Sequence, residues 1–186
     1  MPRTFIAIPL PHSVIAALEE AQRQLAAAGA DVRWVERENL HLTLKFLGQV
    51  EDRHVTTVCT VAQQAAGSVE AFDFDVRGLT SVPPSGQMRM VWAGVADDTG
   101  KLAVLHDQLD SGFAGMGFQE ETRDFRPHMT LGRVKGGRNI TQLRSAVSRY
   151  VATDFGPCPA DELVVFSSQL APSGPIYTPL AKAPLK

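Results

Sequence analysis

The tightest constraint on this chain is an internal echo. His41-Leu42-Thr43-Leu44 returns as His128-Met129-Thr130-Leu131, 128 − 41 = 87 residues later. Pro84-Ser85-Gly86 returns as Pro172-Ser173-Gly174, at an offset of 172 − 84 = 88. Repetition at a fixed spacing signals a structural unit used more than once. A Pro-Ser-Gly turn is common by itself, so it is the agreement of the offsets that suggests two halves with one internal plan. Chance accounts poorly for the first pair. The chain has 5 His and 12 Thr in 186 residues, so about 0.3 His-x-Thr triplets are expected at random. Two occur, each followed by Leu and each in strand-like sequence.

Hydrophobic periodicity fills in the plan. Residues 3–8 read as a strand. Val14, Leu18, Ala21 and Leu25 share a helix face that ends near Gly29. Residues 32–35 and 40–47 read as strands. Val55, Val58, Cys59 and Ala62 mark a second helix ending near Gly67. Residues 71–82 and 88–96 flank a Pro-Pro-Ser-Gly turn as a hairpin. Leu102, Leu105, Leu109 and Phe113 mark a third helix, 125–134 a strand, and Leu143, Val147, Tyr150 and Val151 a fourth helix. Asn139 with Gln142 three residues later predicts a capping box at its start. Strands near 162–169 and 175–180 close the chain. Each half reads strand, helix, strand, helix, hairpin. The expected class is α+β, with residues 1–186 as one domain of two interleaved halves, roughly 1–87 and 88–186.

Composition removes several alternatives. With 44% hydrophobic and 20% charged residues the chain is too apolar to be disordered. No run approaches the roughly 18 apolar residues of a membrane span, and the apolar part of the opening segment is too short for a signal peptide. Cys59 and Cys158 cannot build a disulfide framework or a zinc cage. A cytoplasmic monomer with reduced thiols is expected. A net charge of −2 argues against a dedicated duplex binder.

On a strand, residues i and i+2 face one side. His41 and Thr43 therefore share a face, as do His128 and Thr130, while Leu42, Leu44, Met129 and Leu131 take the apolar side. If the halves are related by pseudo-twofold symmetry, both strands face one groove. Two imidazoles there can serve as acid and base at once, and two hydroxyls can hold two oxygens of one phosphate. By the same alternation Lys45 joins His41 and Thr43 and adds positive charge, and Gly132 faces with His128, leaving room for sugar or base. The set has no activated Ser or Cys nucleophile. It suits in-line attack of water on phosphorus, with positioning and charge stabilisation as important as proton transfer. Trp34, Phe46, Trp92 and Phe125 are the candidates to stack a base, although each reads first as a core residue. His12, His54 and His106 read as outside the chemistry.

These segments resemble the paired signatures of the 2H phosphoesterase superfamily, most closely its bacterial RNA 2′,3′-cyclic phosphodiesterase branch, LigT-like and also called 2′-5′ RNA ligases. Arg3–Ile8 is similar to the family's first strand, Asn39–Gly48 to its first motif and Phe125–Arg133 to its second. The resemblance spans essentially the whole chain. It implies a bilobal fold, two antiparallel-rich sheets lining a central cleft with helices outside, and neither metal nor cofactor. It implies His128 as the base that activates water, His41 as the acid that protonates the leaving 3′ oxygen, and Thr43 and Thr130 as phosphate ligands. The product would be a 2′-phosphate end. Arg133 stands where this branch often has a phosphate-binding Arg, but strict alternation puts it opposite His128, so that role requires a bulge.

The implied substrate is an RNA 2′,3′-cyclic phosphate end or a small cyclic nucleotide, gripped through few phosphate contacts. Three alternatives stand beside hydrolysis: 2′-5′ ligation by the reverse chemistry, a non-catalytic nucleotide-binding module, and a two-His metal hydrolase.

Overall fold

The structure, a computed structural model, describes residues 3–186. In chain order the elements are β1 (Arg3–Pro9), α1 (His12–Ala26), β2 (Val32–Trp34), β3 (His41–Gln49), α2 (Asp52–Gly67), β4 (Phe72–Val82) and β5 (Met90–Ala96). Then follow α3 (Lys101–Ala114), β6 (His128–Val134), α4 (Ile140–Ser148), β7 (Asp154–Ala160), β8 (Glu162–Ala171) and β9 (Gly174–Pro184). A short 3-10 turn, Arg37–Asn39, leads into β3.

The strands form two antiparallel sheets, β3-β1-β8-β9 and β2-β6-β5-β4-β7. Leave aside the edge strand β2 and the two orders match position by position. Each His-x-Thr strand, β3 or β6, lies beside the first strand of its own half, β1 or β5. That strand lies beside one contributed by the other half, β8 or β4. The sheets are therefore completed by exchange.

This topology also corrects one reading of the repeat. The turn at 83–86 joins β4 to β5, whereas the turn at 172–174 joins β8 to β9. By sheet position β5 matches β1 and β9 matches β7. The two Pro-Ser-Gly turns connect non-equivalent strands, so their near-equal offset is not a product of the repeat.

Helices α2 and α3 pack on the four-stranded sheet, and α1 and α4 on the five-stranded one. In α1 and α3 the sunken faces are those the periodicity marks: Val14, Leu18, Ala21 and Leu25, and Leu102, Leu105, Leu109 and Phe113, are all 2% exposed or less, whereas Val151, expected on the fourth helix face, lies past the end of α4 and is 70% exposed. Each of the buried Val, Leu and Phe side chains contributes roughly 1.5–3 kcal/mol by leaving water. One contiguous core joins both sheets and all four helices. Among the described residues no helix is long and apolar enough to cross a membrane.

Two local expectations fail for physical reasons. Strand β7 is hidden in the sequence by Gly156, Pro157 and Pro159, which weaken a strand pattern. It is an edge strand, paired only with β4, so its prolines face outward while Phe155, Cys158 and Ala160 are buried. Asn139 makes no capping box. It takes a left-handed backbone (φ 53°), which Asn tolerates, makes no side-chain cap bond, and its amide donates to the Gly29 carbonyl at 3.2 Å. It ties the start of α4 to the end of α1 instead.

Candidate active site

Both His-x-Thr strands carry a β-bulge one residue past the threonine. On β3, Ala7 pairs with Thr43 and Ile6 with Lys45, which leaves Leu44 unpaired. On β6, Trp92 pairs with Thr130 and Val91 with Gly132, which leaves Leu131 unpaired. The bulges are 131 − 44 = 87 residues apart, in register with the motifs. A bulge resets which side the following residues face. Lys45 and Gly132 turn inward and are buried, while Phe46 and Arg133 are exposed and line the cleft between the sheets.

This reverses the alternation reading of three residues. Lys45 does not share the face of His41 and Thr43. It is 6% exposed, its ammonium pairs with Asp110 of α3, and it donates to the Gln119 carbonyl at 3.0 Å. Gly132 leaves no room for a ligand. A Cβ there would stand 2.7 Å from Val32 Cγ1 and 2.8 Å from Trp34 Cε3, so the space is filled by β2. Arg133, which alternation sends to the wrong side, is carried onto the cleft face by the bulge at Leu131.

The structure brings His41, Thr43, His128, Thr130 and Arg133 together along one cleft of about 1990 Å³. The two imidazoles are held alike. His41 Nδ1 lies 2.6 Å from the Asn39 carbonyl, and His128 Nδ1 lies 2.7 Å from the Arg126 carbonyl, each two residues upstream. A carbonyl only accepts, so Nδ1 carries the hydrogen in both rings. That leaves each Nε2 as the nitrogen with a lone pair to accept a proton. In His41 it accepts from the Thr43 hydroxyl at 2.8 Å.

Aromatic rings brace both imidazoles. Trp92 lies flat on His128, with centroids 3.6 Å apart and planes 15° apart. Phe5 stacks on His41 at 4.9 Å, and Tyr177 of β9 meets that ring edge-on at 5.3 Å. Trp92 is therefore a support for His128 rather than an open platform. Phe125 is likewise engaged, stacked on the buried His106 at 4.3 Å. Of the candidates to stack a base, Phe46 lines the cleft at 72% exposure. Phe5 and Tyr177 escape the sequence reading. Phe5 precedes the motif by 41 − 5 = 36 residues, and Tyr177 follows it by 177 − 41 = 136. No spacing rule reaches that far.

The loop before β6 is tied down from two sides. The Asp110 carboxylate accepts from the Glu121 backbone N–H at 3.1 Å, and His106 one turn earlier holds Phe125. Burial alone would raise the Asp110 carboxyl, but Lys45 and the Glu121 N–H outweigh it and hold it below the usual range. The loop ends in Arg126 and Pro127, so its anchoring fixes the carbonyl that orients His128.

Burial disfavours charge on both imidazoles. It lowers His41 from 6.5 to about 4 against the opposing pull of the Asn39 carbonyl. It lowers His128 as well, against the Arg126 carbonyl. Burial raises the Tyr177 hydroxyl, with Arg133 pulling the other way. Among the described residues no three His, Cys, Asp or Glu side chains gather into a metal-holding group.

Comparison with known proteins gives this site a context. The sequence model of the 2′-5′ RNA ligase superfamily matches residues 10–170. A Methanothermobacter thermautotrophicus protein named RNA 2′,3′-cyclic phosphodiesterase is 36% identical over 176 residues, 95% of this chain and 95% of the relative. A Thermotoga maritima protein of the same name is 32% identical over 177 residues, 94% and 91% of the two chains. These relatives are archaeal and bacterial, so the likeness is not confined to a bacterial branch. Among solved structures, TT0787 of Thermus thermophilus superposes with a TM-score of 0.84 at 28% identity, covering 98% of this chain and 97% of that one. E. coli LigT complexed with 3′-AMP gives 0.78 at 26% identity, covering 100% and 98%. The chain belongs to the 2′-5′ RNA ligase superfamily.

Proposed function

We propose that this protein is an RNA 2′,3′-cyclic phosphodiesterase that opens the cyclic phosphate to a 2′-phosphate, with its two histidines as base and acid. One observation carries the reading. The same unit, an imidazole clamped at Nδ1 by the i−2 carbonyl with a threonine two residues on, occurs twice and opens on one cleft. Relatives over most of the chain bear that activity as their name.

In this mechanism His128 Nε2 takes a proton from water as the water oxygen bonds to phosphorus. The bond from phosphorus to O3′ breaks, and the protonated His41 Nε2 gives its proton to O3′. The 2′ ester bond survives, so the product is a 2′-phosphate and a free 3′-hydroxyl. Thr43 and Thr130 hydroxyls donate to the non-bridging oxygens, and Arg133 balances the growing negative charge. The Thr43 hydroxyl leaves His41 Nε2 to do so. Lys45 is a positioning residue here, acting through Asp110 and the loop that aims His128.

The test is incubation with RNA ending in a 2′,3′-cyclic phosphate, in excess chelator, with analysis of the ends. A 2′-phosphate product is expected, and His41→Ala and His128→Ala are each expected to lose roughly 10²–10⁴-fold in rate. Absence of that product at every pH from about 5 to about 9 refutes the reading. Activity that vanishes with chelator and returns with zinc replaces it by metal hydrolysis.

A further inference from the structure

The cleft is more cationic than the chain that forms it. Its lining carries seven Lys and Arg against four Asp and Glu, whereas the whole sequence has 18 against 20. Lys45 is paired with Asp110. Among the described residues, Arg3, Arg33, Arg123, Arg126, Arg133 and Lys135 have no carboxylate within 4.0 Å. Ion pairs such as Arg23–Glu20, Arg53–Glu51 and Lys182–Glu162 lie away from the cleft.

Three of the unpaired cations stand together on the edge of the five-stranded sheet. Arg33 of β2 is directly opposite Arg133 of β6 in the antiparallel register. Lys135 lies two residues beyond Arg133, and all three are exposed and line the cleft. Like charges directly opposite in a sheet repel. Charged residues on an edge strand do blunt unwanted pairing, but that duty needs no second Arg facing the first. Arg33 also points across the cleft. A Cβ on Gly174, in the β8–β9 turn of the other sheet, would stand 3.0 Å from Arg33 Nη2. The guanidinium therefore sits where the two sheets face each other, beside the phosphate site that Arg133 shares.

We infer that Arg33 and Lys135, standing beside Arg133 of the reacting-phosphate site, form a second phosphate subsite, which binds the phosphate on the 5′ side of the terminal nucleoside. The inference rests on the phosphodiesterase reading above. One cyclic phosphate carries a single negative charge, too little for three exposed cations in addition to the paired hydroxyls. An RNA strand supplies its next phosphate on the same backbone, and a forked guanidinium matches phosphate oxygens. The protein thus reads one phosphate beyond the reacting one.

The experiment compares three substrates: a nucleoside 2′,3′-cyclic phosphate, the same compound with a 5′-phosphate, and a dinucleotide ending in the cyclic phosphate. Wild-type kcat/KM is expected to be about tenfold higher for the two with the extra phosphate. Its dependence on log salt should be steeper by about 0.7 for them. Arg33→Gln and Lys135→Gln, both at exposed positions, should each shrink that preference and flatten that slope. Arg33→Lys should restore part of both. The nucleoside cyclic phosphate lacks the extra group and reports the reaction itself.

Equal kcat/KM and equal salt slopes for all three substrates overturn the subsite. So does a preference for the dinucleotide that the 5′-phosphate alone does not reproduce, since the second nucleoside is then what is read. Arg33→Gln slowing all three alike overturns it too. No turnover of any of them overturns the phosphodiesterase reading and the subsite with it.

Discussion

Sulfate added to the protein near pH 6 is expected to bring a proton with it, and that proton is expected on His41. In the free protein burial lowers this imidazole from 6.5 to about 4. Near pH 6 only roughly one ring in a hundred is then charged, which is useless for a proton donor. The fall from 6.5 to about 4 corresponds to roughly 3 kcal/mol against the charged ring. One negative charge about 4 Å from Nε2 returns about 4 kcal/mol at an effective dielectric of about 20. The two are of one size. An anion within reach of the Thr43 hydroxyl, itself 2.8 Å from Nε2, is enough to bring His41 back to its ordinary range. Substrate would therefore create its own acid. Calorimetric titration in two buffers of different ionisation enthalpy counts the protons taken up. Uptake should be largest between about pH 4 and pH 6.5, the free-ring and ordinary values, and should vanish well above that window. Sulfate is chosen because it does not titrate there. His41→Gln should remove most of the uptake. Sulfate binding with no buffer dependence, or undiminished uptake in His41→Gln, refutes the reasoning.

Four further outcomes follow from the same geometry. Because His41 is kept neutral in the fold, its contribution is present above pH 6.5 and lost as pH falls toward about 4; urea unfolding across that range should show an acid limb that His41→Gln flattens. Asp110→Ala strands a buried ammonium and should cost about 3–5 kcal/mol. Lys45→Met should cost less in the same denaturation assay, because the Asp110 carboxylate keeps its Glu121 N–H bonds. Trp92→Leu should lower kcat about tenfold with little change in KM, and Trp92→Phe should restore it, since the Trp92 Nε1–H has no hydrogen-bond partner to lose. Gly132→Ala forces a methyl against Val32 and Trp34 and should cost about 1–3 kcal/mol by thermal unfolding.

How far the sequence could be read depended on whether the signal was local. The His-x-Thr pair was legible because alternation and a fixed offset are properties of neighbouring residues. The faces of Lys45, Gly132 and Arg133 were not. A bulge is an event in the hydrogen-bond ladder between two strands; Leu44 has no Gly or Pro beside it to announce one, and Gly132 after Leu131 is the single local hint. Helix faces were legible for the reason that strand β7 was not: Val14 to Leu25 keep a clean period, while Pro157 and Pro159 erase one. The supporting rings Phe5, Trp92 and Tyr177 reach the histidines through sheet pairing and the closing hairpin, which only the fold brings close.

The exchanged strands have a consequence in time. In the finished sheet β1 lies between β3 and β8, with Phe5 opposite Phe166. The ribosome makes these partners 166 − 5 = 161 residues apart, an interval of roughly 8–32 s at usual synthesis rates. Throughout it, one edge of a strand whose residues Phe5–Ile8 end up almost fully buried has nothing of its own chain to pair with. The five-stranded sheet has all its strands once β7 is made, but the four-stranded sheet must wait for β8 and β9. The newborn chain must shelter that edge until its last hairpin emerges, and the cleft closes only then.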